Sequence, residues 1–352
     1  MFMFVALLIL CGCSSPKLRF AYVATGQGVY AFRMDASNGA ASQIFGSPFV
    51  AKTNGNNAAS ASSVVVDPSN RFVYVADQNI DSISVFKINP TTGALTEIMP
   101  RIPLTAPGLV GLSPAAMTMD SGGKFLFVGN QNSTDVWVFS IADSGALTFV
   151  SRTLLAAGPS GLTLSASGDF LYVPVPTFSA VYAFSVSSGT LTQVGTPFVV
   201  SGGVGNNVGI DPNGQFLYVP NPSTNTVTVL RIQPDGSLGF GAGAFATGTT
   251  PVAAATNATG AFVYVANFGS TNLSQFQLDT TTGQLVPLSS STAGTGTQPS
   301  SIIVDPTAKF IFVVNQKSNS VTEFTANTNG TLASTGNSLQ LSVAPRSFSV
   351  TR

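Results

Sequence analysis

The chain has 352 residues, of which only 8% are charged, and its 14 Lys and Arg are balanced by 14 Asp and Glu. That balance excludes the basic footprint of a nucleic-acid-binding protein and of one held electrostatically on an anionic membrane surface. There is no histidine, and the two cysteines stand at positions 11 and 13, so the body of the chain can build neither a zinc centre of His and Cys ligands nor a Ser-His-Asp or Cys-His nucleophile.

The chain opens on MFMFVALLILCGCSS, an apolar run ending in Leu10-Cys11-Gly12-Cys13. The run is too short to cross a bilayer and has the length of a signal-peptide core. Residues 1–13 resemble a bacterial lipoprotein signal segment, with the small Gly12 just before the cysteine that would be lipidated, Cys13, although no Lys or Arg precedes the run. An ordinary cleaved signal and a buried strand are the alternatives. The expected location is therefore outside the cytoplasm, as a membrane-anchored lipoprotein of the periplasm or cell surface. Cleavage before Cys13 would leave no other cysteine and hence no intrachain disulfide.

From there one phrase governs the chain. RFVYVADQ, residues 71–78, returns as RFAYVATG, KFLFVGNQ, DFLYVPVP, QFLYVPNP, AFVYVANF and KFIFVVNQ, with leading aromatics Phe20, Phe72, Phe125, Phe170, Phe216, Phe262 and Phe310. A recurrence every 45 to 53 residues, without a linker or a change of composition, marks a repeat architecture in one domain over residues 18–352. The second copy shows its anatomy. A β-branched run at 63–67 predicts strand A, and Asp67-Pro68-Ser69-Asn70 is a turn, since Pro presets one backbone angle and Asp can bond the chain ahead. Strand B is expected at 72–76, strand C at 82–88 and strand D from Leu95, with Gly93 at the tight turn between the last two. The step from the strand B Phe to the strand C apolar residue is constant, as from Phe72 to Phe86 and from Phe310 to Phe324. No helical period appears.

A four-stranded sheet of this kind has two faces to bury, so neighbours must stack, and closing the stack removes its exposed ends. The predicted fold is an all-β, seven-bladed β-propeller with four antiparallel strands per blade. The first copy begins at strand B, and residues 345–352 (PRSFSVTR) have the form of a strand A with no strand B behind it. The C-terminal strand is therefore expected to complete the first blade.

The phrases DPSNRFVYVAD at 67–77 and DPNGQFLYVPN at 211–221 resemble the YVTN-type seven-bladed propellers, including the lactonase family that contains 6-phosphogluconolactonase-like proteins. The resemblance covers residues 19–352. It implies the propeller fold and, as an activity to weigh, hydrolysis of a sugar lactone. Relatives often carry His where Asp67, Asp211 and Asp305 stand, and muconate-lactonising members are expected to use His, Glu and Arg near the central channel. With no histidine here, the resemblance transfers no catalytic residue.

Among the residues themselves, the end of strand B places Asp77, Asn130, Asn221, Asn267 and Asn315 at one equivalent position, a candidate ring for a polyol, with Gln78, Gln131 and Gln316 following as further donors. Asn and Asp also commonly bond the backbone of their own loop, which makes a purely structural ring the stronger alternative. Two glutamates exist, Glu97 and Glu323, both away from the innermost strand; Asp77, Asp81 and Asp135, with Arg101 or Arg152 nearby, are the acid and base candidates. Trp137 aligns with Tyr30 and Tyr182 and reads as blade packing. No cofactor is expected, although calcium on Asp and carbonyl oxygens stays open. The sequence therefore points first to a cell-envelope module binding a small polar ligand or an envelope protein, monomeric and touching the membrane only through its anchor. Lactone hydrolysis is the competing reading.

Overall fold

The computed structural model describes residues 19–51, 59–305 and 309–352, so the signal-type segment and Cys13 lie outside the described residues, as does most of the connection after Ala51. Among the described residues seven antiparallel blade sheets form, with a small extra hairpin of Thr105–Ala106 and Leu109–Val110 in the connection after blade 2. In blade 2, strands A to D are Ala61–Val66, Phe72–Asp77, Ser82–Ile88 and Leu95–Pro103. Strand A starts before the predicted Ser63 because Ala61 still pairs with Asp77 across a bulge. The B strands of blades 3 to 7 are Phe125–Asn130, Phe170–Val175, Phe216–Asn221, Phe262–Asn267 and Phe310–Asn315, each opening on the repeated Phe.

The regularity breaks at blades 4 and 5. Their innermost strands shrink to Thr163–Leu164 and Gly209–Ile210. Backbones approach closely there: a Cβ on Gly161 would lie 2.4 Å from the Asn206 carbonyl oxygen. The outer edge of blade 4 is divided into Thr190–Gln193 and Phe198–Val199, with Pro197 between them removing an amide donor from the ladder. One turn of 3-10 helix, Pro176–Phe178, sits in the B to C loop of the same blade.

The ring closes as the sequence predicts. Pro345–Val350 pairs antiparallel with Arg19–Thr25, setting Ala21 opposite Val350 and Val23 opposite Phe348. Thr351 then takes over the duty that Asp67 and Asp211 have elsewhere. Its hydroxyl accepts the Phe20 N–H at 2.9 Å, just as Asp67 Oδ1 accepts the Phe72 N–H at 2.7 Å and Asp211 Oδ1 the Phe216 N–H at 2.6 Å. A buried ion pair between Arg19 and Asp305 ties blade 7 to blade 1 across this seam.

The hydrophobic core is a set of slabs, one between each adjacent pair of blades, including blades 7 and 1, where Phe312 and Phe348 meet at 4.8 Å between ring centroids. The repeated Phe-x-Tyr-Val phrase is a latch across these slabs. The leading Phe of one blade lies under the turn glycine of the next, Phe72 under Gly145 and Phe170 under Gly236, where a larger residue would collide with the ring. The Tyr two residues on points the same way, because strand residues i and i+2 share a face. Its hydroxyl donates to that glycine's carbonyl: Tyr22 to Gly93 at 3.0 Å, Tyr74 to Gly145 at 3.1 Å, Tyr172 to Gly236 at 3.1 Å and Tyr264 to Gly330 at 2.8 Å. In blade 3 the position is Phe127, and Ser151 supplies the missing donor to Gly189 at 2.7 Å.

Candidate functional site at the channel mouth

Strand A is innermost in every blade, so its side chains decide what the central channel offers. A pocket of about 380 Å³ opens at the end where strand A begins and strand B finishes. Its lining comes from residues at or just before the start of strand A and from the residue after strand B, among them Ser62, Ser160, Asn206, Ser300 and Arg346. Several of these serines are already committed: Ser62 donates to the Pro114 carbonyl at 2.6 Å, and Ser160 to the Gly205 carbonyl at 3.3 Å, each reaching the next blade. They stitch the inner wall together.

Among the described residues Arg346 is the only charged one in the lining. It stands one residue after Pro345, on the strand that closes the ring, at the position that holds Ala115, Ser160 and Ser300 in other blades. Its Nη1 donates to the Ser60 hydroxyl at 2.9 Å and to Gln78 Oε1 at 3.4 Å. Gln78 in turn donates from Nε2 to the Ser113 hydroxyl at 3.1 Å. Gln131 and Gln316 face the same pocket from blades 3 and 7. The mouth is thus a guanidinium among amide and hydroxyl groups, with no carboxylate in its lining.

The five ring residues take a different place. Asp77, Asn130, Asn221, Asn267 and Asn315 are buried, none lines the pocket, and each is held by strand C of its own blade. The partner stands seven residues on in four of them: Ser84 donates to Asp77, Thr228 to Asn221 at 2.6 Å, and Asn267 and Asn315 donate to Ser274 at 3.0 Å and Thr322 at 2.9 Å. In blade 3 that position is Trp137, and Asn130 uses Asp135, five residues on, at 2.8 Å. The glutamines that follow the ring are what reach the channel.

The acid and base candidates are likewise inside blades. Asp135 receives Arg152 Nε at 2.6 Å and is buried; Glu97 sits 3.5 Å from Arg101 Nε on the outer strand of blade 2. Asp81 accepts the Ser113 N–H at 2.6 Å and shapes the loop there. Burial pushes the Asp77 carboxyl up to about 6, while the Ser84 hydrogen bond and Arg101 pull it down. Burial also raises the Glu323 carboxyl, which lies under Gly39 at the seam between blades 7 and 1. Trp137 is fully buried and meets Phe149 edge-on at 4.9 Å, as blade packing requires. Among the described residues no group of three or more His, Cys, Asp or Glu could hold a metal ion, and no helix is long and apolar enough to cross a membrane.

Comparison with known proteins adds the following. A family model described as "Lactonase, 7-bladed beta-propeller" matches residues 12–162, 98–208, 158–295 and 253–346. A 6-phosphogluconolactonase of Pectobacterium carotovorum is 27% identical over 129 residues, a match that spans 36% of each chain. Among solved structures, a periplasmic gluconolactonase of Pseudomonas aeruginosa superposes with a TM-score of 0.77 at 20% identity, covering 95% of this chain and 99% of its own. A protein from Lactobacillus plantarum superposes with a TM-score of 0.76 at 19% identity, covering 95% and 99%. At such identities the superpositions show a shared fold.

Proposed function

The chain belongs to the lactonase family of seven-bladed β-propellers, and on that premise we propose that its channel mouth binds a sugar lactone and opens the ring by hydrolysis. One observation carries the reading: a single guanidinium, Arg346, lines a pocket whose other polar side chains, among the described residues, are amides and hydroxyls. The hydroxyls of a sugar ring suit Gln78, Gln131 and Gln316, and the lactone carbonyl suits Arg346. Attack of water on that carbonyl puts negative charge on its oxygen, and a fixed cation aimed there stabilises the transition state more than the ground state. The carbon to ring-oxygen bond then breaks, the ring oxygen takes a proton from solvent, and a hydroxy-acid carboxylate leaves.

Among the described residues no side chain lining the mouth can take the proton from the attacking water, so it goes to solvent or hydroxide. The rate above the spontaneous reaction should therefore rise with pH without the bell shape of a titrating acid and base pair. A pH profile of glucono-δ-lactone opening tests this: an acidic limb reporting a carboxylate would contradict the assignment. The absence of a carboxylate in the lining favours one second reading, a protein that binds the same ligand without turnover. Saturable binding with no acceleration at any pH would select it. Export with lipidation at Cys13 is part of the proposal, supported by the signal-type residues 1–13 and the periplasmic residence named for the Pseudomonas relative. Metabolic labelling with a palmitate analogue, lost in Cys13→Ala, tests it.

A further inference from the structure

A second cavity lies away from the channel. It encloses about 750 Å³ on the opposite end of the ring, at the seam between blades 1 and 2, and lies within the volume range of small-molecule sites. Its floor is apolar, built from Phe20, Phe72, Ile88, Pro90 and Ile98. The same groove recurs between blades 4 and 5, where Phe170, Gln215, Arg231, Ile232 and Pro234 stand in the places of Phe20, Arg71, Lys87, Ile88 and Pro90. There it encloses only about 360 Å³ and carries one cation, Arg231. At the seam groove the last residues of the closing strand and its extension, Thr351 and Arg352, form one side.

Its charge differs as well. The lining side chains carry three cations, Arg71, Lys87 and Arg352, and one carboxylate, Asp143. Arg71 lies over the Phe72 ring at 5.2 Å, donating from Nη1 to the Asp143 main-chain carbonyl at 3.0 Å and from Nε to the Ser69 hydroxyl at 2.8 Å, with Asp67 at 4.0 Å. Lys87 is exposed and has no ion pair among the described residues.

We propose that this seam cavity is a second ligand site, separate from the channel mouth, for a small amphipathic anion. The apolar body of the ligand rests on Phe20, Phe72, Ile88 and Ile98, and its carboxylate or sulfonate sits between Arg71 and Lys87. Apolar burial supplies the affinity and the two cations select the charge.

The test titrates the folded full chain with 8-anilinonaphthalene-1-sulfonate, an aromatic sulfonate whose fluorescence reports an apolar site. One saturable site is expected, weakened at least tenfold by Lys87→Glu and by Arg71→Glu and unchanged in Arg346→Ala. Because Phe240, 89% exposed and packed against Phe198, forms an apolar patch elsewhere, Phe240→Ser is the control and should also leave the site intact. Near-UV circular dichroism confirms that each variant is folded, and Lys87→Ala, a milder change at an exposed position, replaces any that is not. Failure to saturate, loss of binding in Phe240→Ser or Arg346→Ala, or wild-type binding in the Lys87 and Arg71 variants would each overturn the proposal.

Discussion

Gly236→Ala probes the inter-blade latch most sharply, because the same substitution at Gly168 provides its own control. Both glycines have positive φ, +86° and +82°, so an alanine at either costs about 1–2 kcal/mol in backbone strain. They differ in surroundings. A Cβ at Gly236 would lie 2.1 Å from Phe170 Cδ1, whereas one at Gly168 meets nothing within 4 Å. Forcing the Phe170 ring away adds an overpacking cost of about 1–3 kcal/mol. It also disturbs the Tyr172 hydrogen bond to the Gly236 carbonyl, an interaction contributing about 1 kcal/mol. Gly236→Ala should therefore destabilise by about 3–6 kcal/mol and Gly168→Ala by about 1–2. Urea unfolding followed by circular dichroism measures both, and Phe170→Leu should lessen the cost of Gly236→Ala when combined with it. Equal costs at the two glycines would refute the latch.

The closing strand and the buried carboxyl of blade 2 give two more tests. Deleting residues 345–352 exposes the edge of Arg19–Thr25 and removes Phe348 from the slab between blades 7 and 1, so the truncated chain should unfold or associate; a monomer with an unchanged melting temperature contradicts closure by that strand. Asp77 is 1% exposed, and its folded pKa of about 6 lies above the unfolded value near 3.8. Protonated Asp77 is thus favoured by folding. That contribution is complete below about pH 4 and is lost as pH rises to about 6, with a size of about 3 kcal/mol. Asp77→Asn, the residue found in four other blades, should gain on wild type by that amount between pH 4 and 7.5; an equal stability difference at both pH values would show that the carboxyl is not held this way.

The fold was legible because the physics that sets it repeats. A Phe at strand B, a glycine after strand C and a polar turn between strands A and B, Asp-Pro in three copies, recur at nearly fixed steps, since each blade must meet the next in the same way. The broken outer edge of blade 4, resting on Pro197, and the shortened inner strands of blades 4 and 5, where backbones approach closely at Gly161, were less legible. The polar ring was visible, but its placement was not: Asn221 pairs with Thr228, Asn267 with Ser274 and Asn315 with Thr322, and that hydroxyl seven residues on was the signal of a structural role. Arg346 was readable in principle from the register of Pro345 with Pro114, Pro159 and Pro299, which puts the next residue on the channel wall. It escaped because the other blades hold uncharged residues there, Ser62, Ala115, Ser160, Asn206, Val252 and Ser300, so nothing in the repeat marks the position as chemical.

Arg346 is accordingly where the functional account is most exposed. The decisive measurement compares wild type with Arg346→Ala in pH-stat assays of glucono-δ-lactone opening, with the spontaneous rate subtracted and folding verified by the melting temperature. Loss of an oxyanion partner of this kind should lower kcat by about 10²–10³. Acceleration by wild type that collapses in Arg346→Ala, with the melting temperature kept, is the result predicted. Equal acceleration by both proteins would place the chemistry elsewhere and contradict the channel mouth as the active site.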